Sequence, residues 1–536
     1  MVARINGREV RTQRESLLQH ARRAGVRIRS LCGGMGLCKK CLVKVERGSE
    51  LLSPPTHAEK EIDGIREGFR LACQAVVEEI GELEISVPPD SLEPEEVFLL
   101  PALGVKVKLE PAVRRSVVEK EGKILTRVLR YGRTIAEREV VGGMLGLALD
   151  VGTTNLVGYL VDLEQGKVLS AMGLPNPQAE KGEDLMTRLT LALQGENLRE
   201  GLVEGINRLV AALAPSPEDV YEVVAVGNSV MHHFLFHLPL DSLARAPFSP
   251  STLLPLERKA AELGLGLPHA WVYSPPPVGG FVGPDCVADV LSSGLWKRTE
   301  PWLLVDVGTN TEIVLSDGSR LFASSCASGP AFEGGGLVCG MRAGEGAISH
   351  VRLTESLEPI LEVTGTPRGL CGSGALDLLS ELLRMGAVRP DGRMTGSGPR
   401  FKLRGEPCFE LAEGVILTSS DVRRLQLAKA AVAAGVSVLM EEAGVSAREL
   451  SCLALAGAFG VSLRPESVFS TGMLPRVEKV IQLGHAAGLG AQLMLLSVEQ
   501  RRAAEELARK IKHVQLAGRE DFRENFIRLL RLEPLS

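Results

Sequence analysis

The sequence predicts a small α+β domain at the N-terminus and, behind it, a large α/β domain made of two similar halves. Three observations lead there. Four cysteines, Cys32, Cys38, Cys41 and Cys73, are spaced C-x5-C-x2-C with a distant fourth. The segment Asp150-Val151-Gly152-Thr153-Thr154 returns as Asp306-Val307-Gly308-Thr309-Asn310. From Leu147 onward, apolar runs of strand length alternate with glycine turns and longer helical segments, which is the α/β pattern.

The N-terminal elements follow in order. Val2 to Ile5 and Glu9 to Arg11 form a hairpin around Asn6-Gly7, a favoured two-residue turn. Glu15 to Ala24 is a helix, with Leu17, Leu18, Ala21 and Ala24 on one stripe. After the cysteine loop come strands at Leu42 to Val45 and Leu83 to Val87, an order that suggests a β-grasp domain. The Pro- and acid-rich stretch from Pro88 to Glu96 has the composition of a linker. Val105 to Leu109 and Ile124 to Leu129 are expected as short strands. In the large domain, Leu189 to Leu213, Ala375 to Met385 and Asp421 to Ala443 are expected as helices. The unit from Leu147 to Leu163 resembles that from Leu303 to Leu315, and two similar halves facing one another make a cleft.

The chain has 536 residues and a formal charge of -5, enough length for three or four domains. The acidic balance argues against nucleic acid as the main partner, because phosphate backbones need a concentrated basic face. Arg22, Arg23, Arg27, Arg29 and Lys39-Lys40 nevertheless cluster around the cysteine loop. They read either as a solvated face or as a docking patch for an acidic partner. The first residues lack the apolar core of a signal peptide, and no stretch reaches bilayer-spanning length. The protein is expected to be cytoplasmic and not membrane-bound. The other six of its ten cysteines are scattered singly and read as small buried residues rather than disulfide partners.

Three thiolates on one tight loop and a fourth from a neighbouring segment suit a 2Fe-2S cluster. Gly33, Gly34 and Gly36 let backbone N–H groups approach its sulfurs. Structural zinc is the alternative, but zinc sites usually show two close cysteine pairs. The paired D-V-G-T segments read as phosphate hairpins, with Gly152, Thr153, Thr154 and Asn155 in one and Gly308, Thr309 and Asn310 in the other. Asp150 and Asp306 stand at the strand ends, where a carboxylate holds Mg2+ through water. The alternative is two ordinary glycine turns. Leu455 to Gly460 places Gly457 and Ala458 where small residues let a nucleoside lie against backbone, and Gly484 to Gly490 opens a closing helix.

Other segments are less specific. His233 and His237 have i, i+4 spacing but no acidic partner, and read as structural histidines. Gly227-Asn228-Ser229 is expected to end a strand near the cleft. Ser324 to Pro330, with Glu333 to Gly336, reads as a loop facing substrate or partner, or as a simple turn. Gly369 to Gly374 reads as a helix start with N–H groups available to an anion.

Taken together, these motifs resemble an α+β β-grasp 2Fe-2S ferredoxin domain (1–90) followed by an α/β actin-like (ASKHA) duplicated ATPase domain in two halves (146–536). The succession of ferredoxin loop, DVGTT, GNSVMHH, GGFVG, DVGTN, ASGPAFEGGG, CGSGALD and LAGAFG resembles the reductive activators of corrinoid proteins. That resemblance implies an ATP-dependent reductase that returns the Co(II) form of a cobalamin-carrying methyltransferase protein to Co(I). It implies a 2Fe-2S cluster on Cys32, Cys38, Cys41 and Cys73, ATP and Mg2+ at Asp150 and Asp306, an upstream low-potential electron donor, and a homodimer. It also implies a linker and a separate intermediate domain before the ATPase part. Only about 60 residues separate Pro88 from Asp150, so 91–145 is expected as a linker and shortened intermediate region. The alternative readings are an activator like those of hydroxyacyl-CoA dehydratases, a ferredoxin-fused small-molecule kinase, or a nucleotide-switched electron carrier without turnover.

Overall fold

The computed structural model describes residues 1–26, 28, 41–60, 68–88, 91–92, 107–120, 123–182 and 184–535, with only the backbone at Ala458. Cys32, Cys38, the loop glycines, most of the 88–96 stretch and Val105 lie outside the described residues. The chain divides into two compact units, Met1–Val97 with Pro175–Leu198 and Phe98–Leu174 with Arg199–Ser536.

In the first unit the expected hairpin joins Val2–Ile5 to Arg8–Arg11. Asn6 and Gly7 both have positive φ, 48° and 79°, the requirement of a type I′ turn. The helix Leu17–Arg23 begins at Ser16, whose side chain accepts from the Gln19 N–H while the Gln19 side chain accepts from the Ser16 N–H. A five-stranded sheet runs, edge to edge, Arg8–Arg11, Val2–Ile5, Leu83–Ser86, Leu42–Arg47, Phe69–Leu71. Val2–Ile5 and Leu83–Ser86 are parallel, and the remaining pairs are antiparallel. Ile5, Leu17, Ala21, Val43, Leu71 and Ile85 close the core between helix and sheet. This is the expected β-grasp arrangement.

In the second unit, two six-stranded sheets repeat one plan. In the first, Leu145–Val151 lies antiparallel to Asn155–Asp162 and parallel to Val220–Val226, which is parallel in turn to Trp271–Ser274. In the second, Trp302–Asp306 lies antiparallel to Thr311–Ser316 and parallel to Cys452–Ala456, which is parallel to Val480–Gly484. The equivalence reaches the register. Asp150 stands opposite Val226 and Asp306 opposite Ala456, and each partner strand is followed at once by a helix, Ser229–Phe236 and Gly457–Gly460.

Near-continuous apolar strands such as Val220–Val226 are buried along their whole length, as expected of a sheet covered on both faces. The helix Ser419–Ala443 is started by a Thr418–Asp421 capping box and stopped at Gly444, which is left-handed with φ 70°. Its Val432 and Val436 share a core with Ile313 and Phe322 of the second sheet.

Three differences from the sequence expectations stand out. Residues 107–109 are not a strand. The Leu189 to Leu213 helix is two helices, Leu185–Leu193 and Leu198–Leu213, because Gly195 turns left-handed with φ 97° just after the first. The 91–145 region contains a three-stranded antiparallel sheet, Val113–Lys120, Lys123–Arg130 and Arg133–Arg138, of which only the middle strand was expected. Among the described residues, no helix is long and apolar enough to cross a membrane.

Candidate functional site

Cys41 and Cys73 are brought together by backbone pairing. Leu42 stands opposite Leu71, and the Ala72 N–H donates to the Cys41 carbonyl at 2.8 Å. Their sulfurs lie 3.2 Å apart, well beyond the ~2.05 Å of a disulfide. Gln74 Nε2 donates to the Cys73 sulfur at 3.7 Å, the kind of contact that tunes a metal-bound thiolate. Cys41 is 1% exposed. Two convergent soft donors in an apolar surround fit an iron–sulfur group.

In the second unit the two predicted hairpins meet. Thr154 Oγ1 and Thr309 Oγ1 are 3.0 Å apart. Thr309 Oγ1 donates to Glu333 Oε1 at 2.9 Å, and Thr154 Oγ1 lies 3.5 Å from the same oxygen. Thr153 Oγ1 accepts from Asn228 Nδ2 at 2.9 Å and from Asn310 Nδ2 at 3.4 Å. Asn228 also caps the helix Ser229–Phe236 through the N–H groups of Val230 and Met231, so the helix start and the first hairpin are held as one piece. Asn155 Oδ1 is buried without a hydrogen-bond partner among the described residues, a polar atom left for a ligand to satisfy.

Gly457 comes to the same place from the other half. Its φ is +84°, and a Cβ there would lie 2.2 Å from Asp306 Oδ1. Only glycine has both the conformation and the space, so the predicted nucleoside segment lies directly against the predicted metal carboxylate.

The cleft carries a concentration of carboxyl groups. Desolvation, then the charge of Asp150, pushes the Asp306 carboxyl up to about 6. Asp285 and Asp289 are raised well above the usual carboxylate range, first by desolvation and then by Asp150 and Asp306 respectively. Glu312 is raised by desolvation and then by Asp285. The Asp289 carboxyl is fully buried beside that of Asp306. Negative charge packed this way suits a bound cation. No group of three His, Cys, Asp or Glu among the described residues is arranged to ligate a metal directly.

The counter-charge present is His485. Its Nε2 lies 2.9 Å from Asp150 Oδ2 and its Nδ1 2.8 Å from the Tyr159 hydroxyl. Desolvation lowers the imidazole pKa, but the Asp150 hydrogen bond and the Asp150 and Asp306 charges outweigh it, leaving the pKa raised. Sequence reasoning placed His485 only at the start of a helix and gave it no chemistry. Glu333 was noted only as part of a loop, and Asp285, Asp289 and Glu312 carry no local signal at all.

His233 is a structural histidine, as expected. Its Nδ1 pairs with the Ser229 carbonyl at 2.6 Å, and its Nε2 accepts from the Ser251 N–H at 2.9 Å. His237 ends that helix in a left-handed conformation.

Three family profiles match in succession: a 2Fe-2S iron–sulfur cluster binding domain over residues 3–78, the RACo middle region over 145–298, and the C-terminal domain of RACo, the ASKHA domain, over 300–534. The two RACo profiles divide the chain between the halves just described, one of the two D-V-G-T hairpins in each. The chain belongs to the family of reductive activators of corrinoid proteins. It is 29% identical to the corrinoid activation enzyme RamQ of Eubacterium limosum, with 97% of this chain and 96% of the relative covered. It is 26% identical to the [Co(II) methylated amine-specific corrinoid protein] reductase of Methanosarcina barkeri, over 72% of this chain and 76% of the other. The solved structure of a reductive activator for corrinoid, iron-sulfur protein superposes with a TM-score of 0.74 at 26% identity, covering 99% of this chain and 98% of that one. The family's domains bring a 2Fe-2S cluster and ATP as cofactors.

Proposed function

We propose that this protein reduces the cobalt of a corrinoid protein from Co(II) to Co(I), one electron at a time, at the expense of ATP, and thereby serves a corrinoid methyltransferase system. The observation that carries this reading is the joining of two phosphate hairpins at Thr154 and Thr309 on a chain that also brings cysteine sulfurs together at Cys41 and Cys73.

Cys32, Cys38, Cys41 and Cys73 hold the 2Fe-2S cluster, which supplies one-electron reduction. Asp150 and Asp306 hold Mg2+ through water and face the attacking water. Gly152, Thr153, Thr154, Asn155, Gly308, Thr309 and Asn310 bind the phosphates, and Gly457 and Ala458 contact the nucleoside. The domains are 1–90, the linking region 91–145, and the two-halved ATPase domain 146–536. The working molecule is a cytoplasmic homodimer charged by an upstream low-potential donor.

ATP has a physical reason to be there. Plant-type clusters lie near about -400 mV, and Co(I) is a very strong reductant, so the transfer runs uphill. A nucleotide can shift that balance only through its differential affinity for two states. A selectivity of about 10⁴, about 5.5 kcal/mol, corresponds to roughly 240 mV for one electron at about 59 mV per tenfold change. Opening and closing of the Thr154–Thr309 contact around the γ-phosphate is the element that couples nucleotide to partner.

The reading predicts that MgATP hydrolysis is faster when a Co(II)-corrinoid protein is added and is not accelerated by its methylated form. Phosphate release measured with both forms decides it. Equal rates would remove the coupling.

A further inference from the structure

The loop Ser328 to Glu333 is held against the second hairpin at several points. Ser328 Oγ donates to the Gly308 carbonyl at 2.9 Å and pairs with Thr311 Oγ1 at 2.8 Å, and the Gly329 N–H donates to the Thr309 carbonyl at 3.0 Å. The short helix Pro330–Glu333 follows and ends with the Glu333 carboxylate between the hydroxyls of Thr309 and Thr154. Those hydroxyls come one from each phosphate hairpin, so Glu333 faces the point where the γ-phosphate must enter. Its side chain is only partly buried, leaving room for water.

The two aspartates at the strand ends keep the Mg2+ role given above and touch neither hairpin hydroxyl among the hydrogen bonds of the described residues. Asp150 is paired with His485, and Asp306 lies under Gly457. Glu333 is the carboxylate that touches both hairpin hydroxyls among the described residues.

We propose that Glu333 is the general base of ATP hydrolysis in this cleft. The proposal rests on the ATP-hydrolysing reading above. A carboxylate can only accept hydrogen bonds, so in the nucleotide-free protein it is satisfied by the threonine hydroxyls. Phosphate oxygens are also acceptors. When they enter, Thr154 and Thr309 turn their protons to the phosphate, and Glu333 is left to accept from a water beside the γ-phosphorus. The water oxygen bonds to phosphorus as the bond from phosphorus to the β–γ bridging oxygen breaks, its electron pair leaving on ADP. The water proton passes to Glu333 and then to the inorganic phosphate, so the carboxylate is restored.

The competing role for Glu333 is a latch that merely keeps the hairpins together. Basal MgATP turnover and the affinity for a non-hydrolysable ATP analogue separate the two in wild-type protein, Glu333→Gln and Glu333→Asp. A general base predicts that Glu333→Gln lowers kcat by about 10²- to 10⁴-fold with KM and analogue affinity unchanged, and that Glu333→Asp recovers part of the loss. Undiminished kcat in Glu333→Gln, or a change confined to KM and analogue affinity, overturns the proposal. If Glu333→Gln does not fold, Glu333→Asp carries the test alone: lowered kcat at unchanged KM supports the base, and equal kcat overturns it. A wild-type protein that neither binds the analogue nor releases phosphate overturns the ATP reading itself, and this proposal with it.

Discussion

Asp306 shows how much of the cleft chemistry lies in a single carboxyl group. Its pKa is pushed up to about 6 by desolvation and by Asp150, so folding favours the protonated form relative to the unfolded chain. An aspartate raised in this way contributes stability that is fully present below the unfolded pKa, near 3.9, and lost as pH rises through about 6. The nucleotide-free protein should therefore lose thermal stability across that window, and Asp306→Asn should flatten this part of the profile. MgATP should flatten it too, by bringing a cation to the carboxylates. Thermal unfolding between pH 4 and 7, with and without MgATP, measures this; an Asp306→Asn profile parallel to wild type would contradict it. The aspartate was legible in the sequence because it sits in a repeated motif. Its neighbours were not. His485, Glu333 and the Asp285–Asp289 pair come from three separate segments, the last two residues from the one helix Pro284–Ser293, and nothing in the local pattern of any of them announces that the fold gathers them near Asp150 and Asp306.

At the scale of elements, the least legible segment is the one holding the three-stranded sheet from Val113 to Arg138. A linker-like stretch leads into it, and its strands alternate charged and apolar residues too weakly to be read with certainty. What fixes it within its unit is a buried charge network. Arg130, at the end of the middle strand, donates from Nε and Nη2 to Glu222 at 2.7 and 3.0 Å, and from Nη1 and Nη2 to Glu257 at 3.0 and 2.8 Å. Arg501 Nη1 donates to Glu222 at 2.7 Å. Two guanidinium groups and two carboxylates balance in charge, and Glu222 is fully buried. Removing one partner leaves a buried charge short of compensation, which typically costs about 3–5 kcal/mol. Arg130→Ala should lie near the lower end of that range, about 3 kcal/mol, because Arg501 still reaches Glu222. Urea unfolding of the variant tests this, and a loss below about 1 kcal/mol, the worth of an exposed pair, would show the network to be incidental. The long helices were easier to read, except where Gly195 breaks one into two. The Gly195-Glu196-Asn197 signal was present, but the apolar periodicity continues across it.

At the scale of the whole chain, the duplication was the most legible feature, because the same strand-hairpin-strand unit recurs with its aspartate in the same place. The structure extends that likeness to strand order, register and the glycine- or asparagine-led helix after each parallel neighbour. The N-terminal β-grasp fold was legible from the Asn6-Gly7 turn, the Leu17 stripe and the cysteine spacing, although Cys32 and Cys38 lie outside the described residues. An electron carrier and a nucleotide clamp on one chain are of use together only if ATP changes what the electron can reach. The direct test is to reconstitute the cluster anaerobically, reduce the protein, mix it with a Co(II)-corrinoid protein, and follow Co(I) by its absorbance with and without MgATP. Co(I) should form only with MgATP, and should be lost in Cys73→Ser and in Asp306→Asn. Co(I) formed equally without nucleotide, or in either variant, would contradict the account.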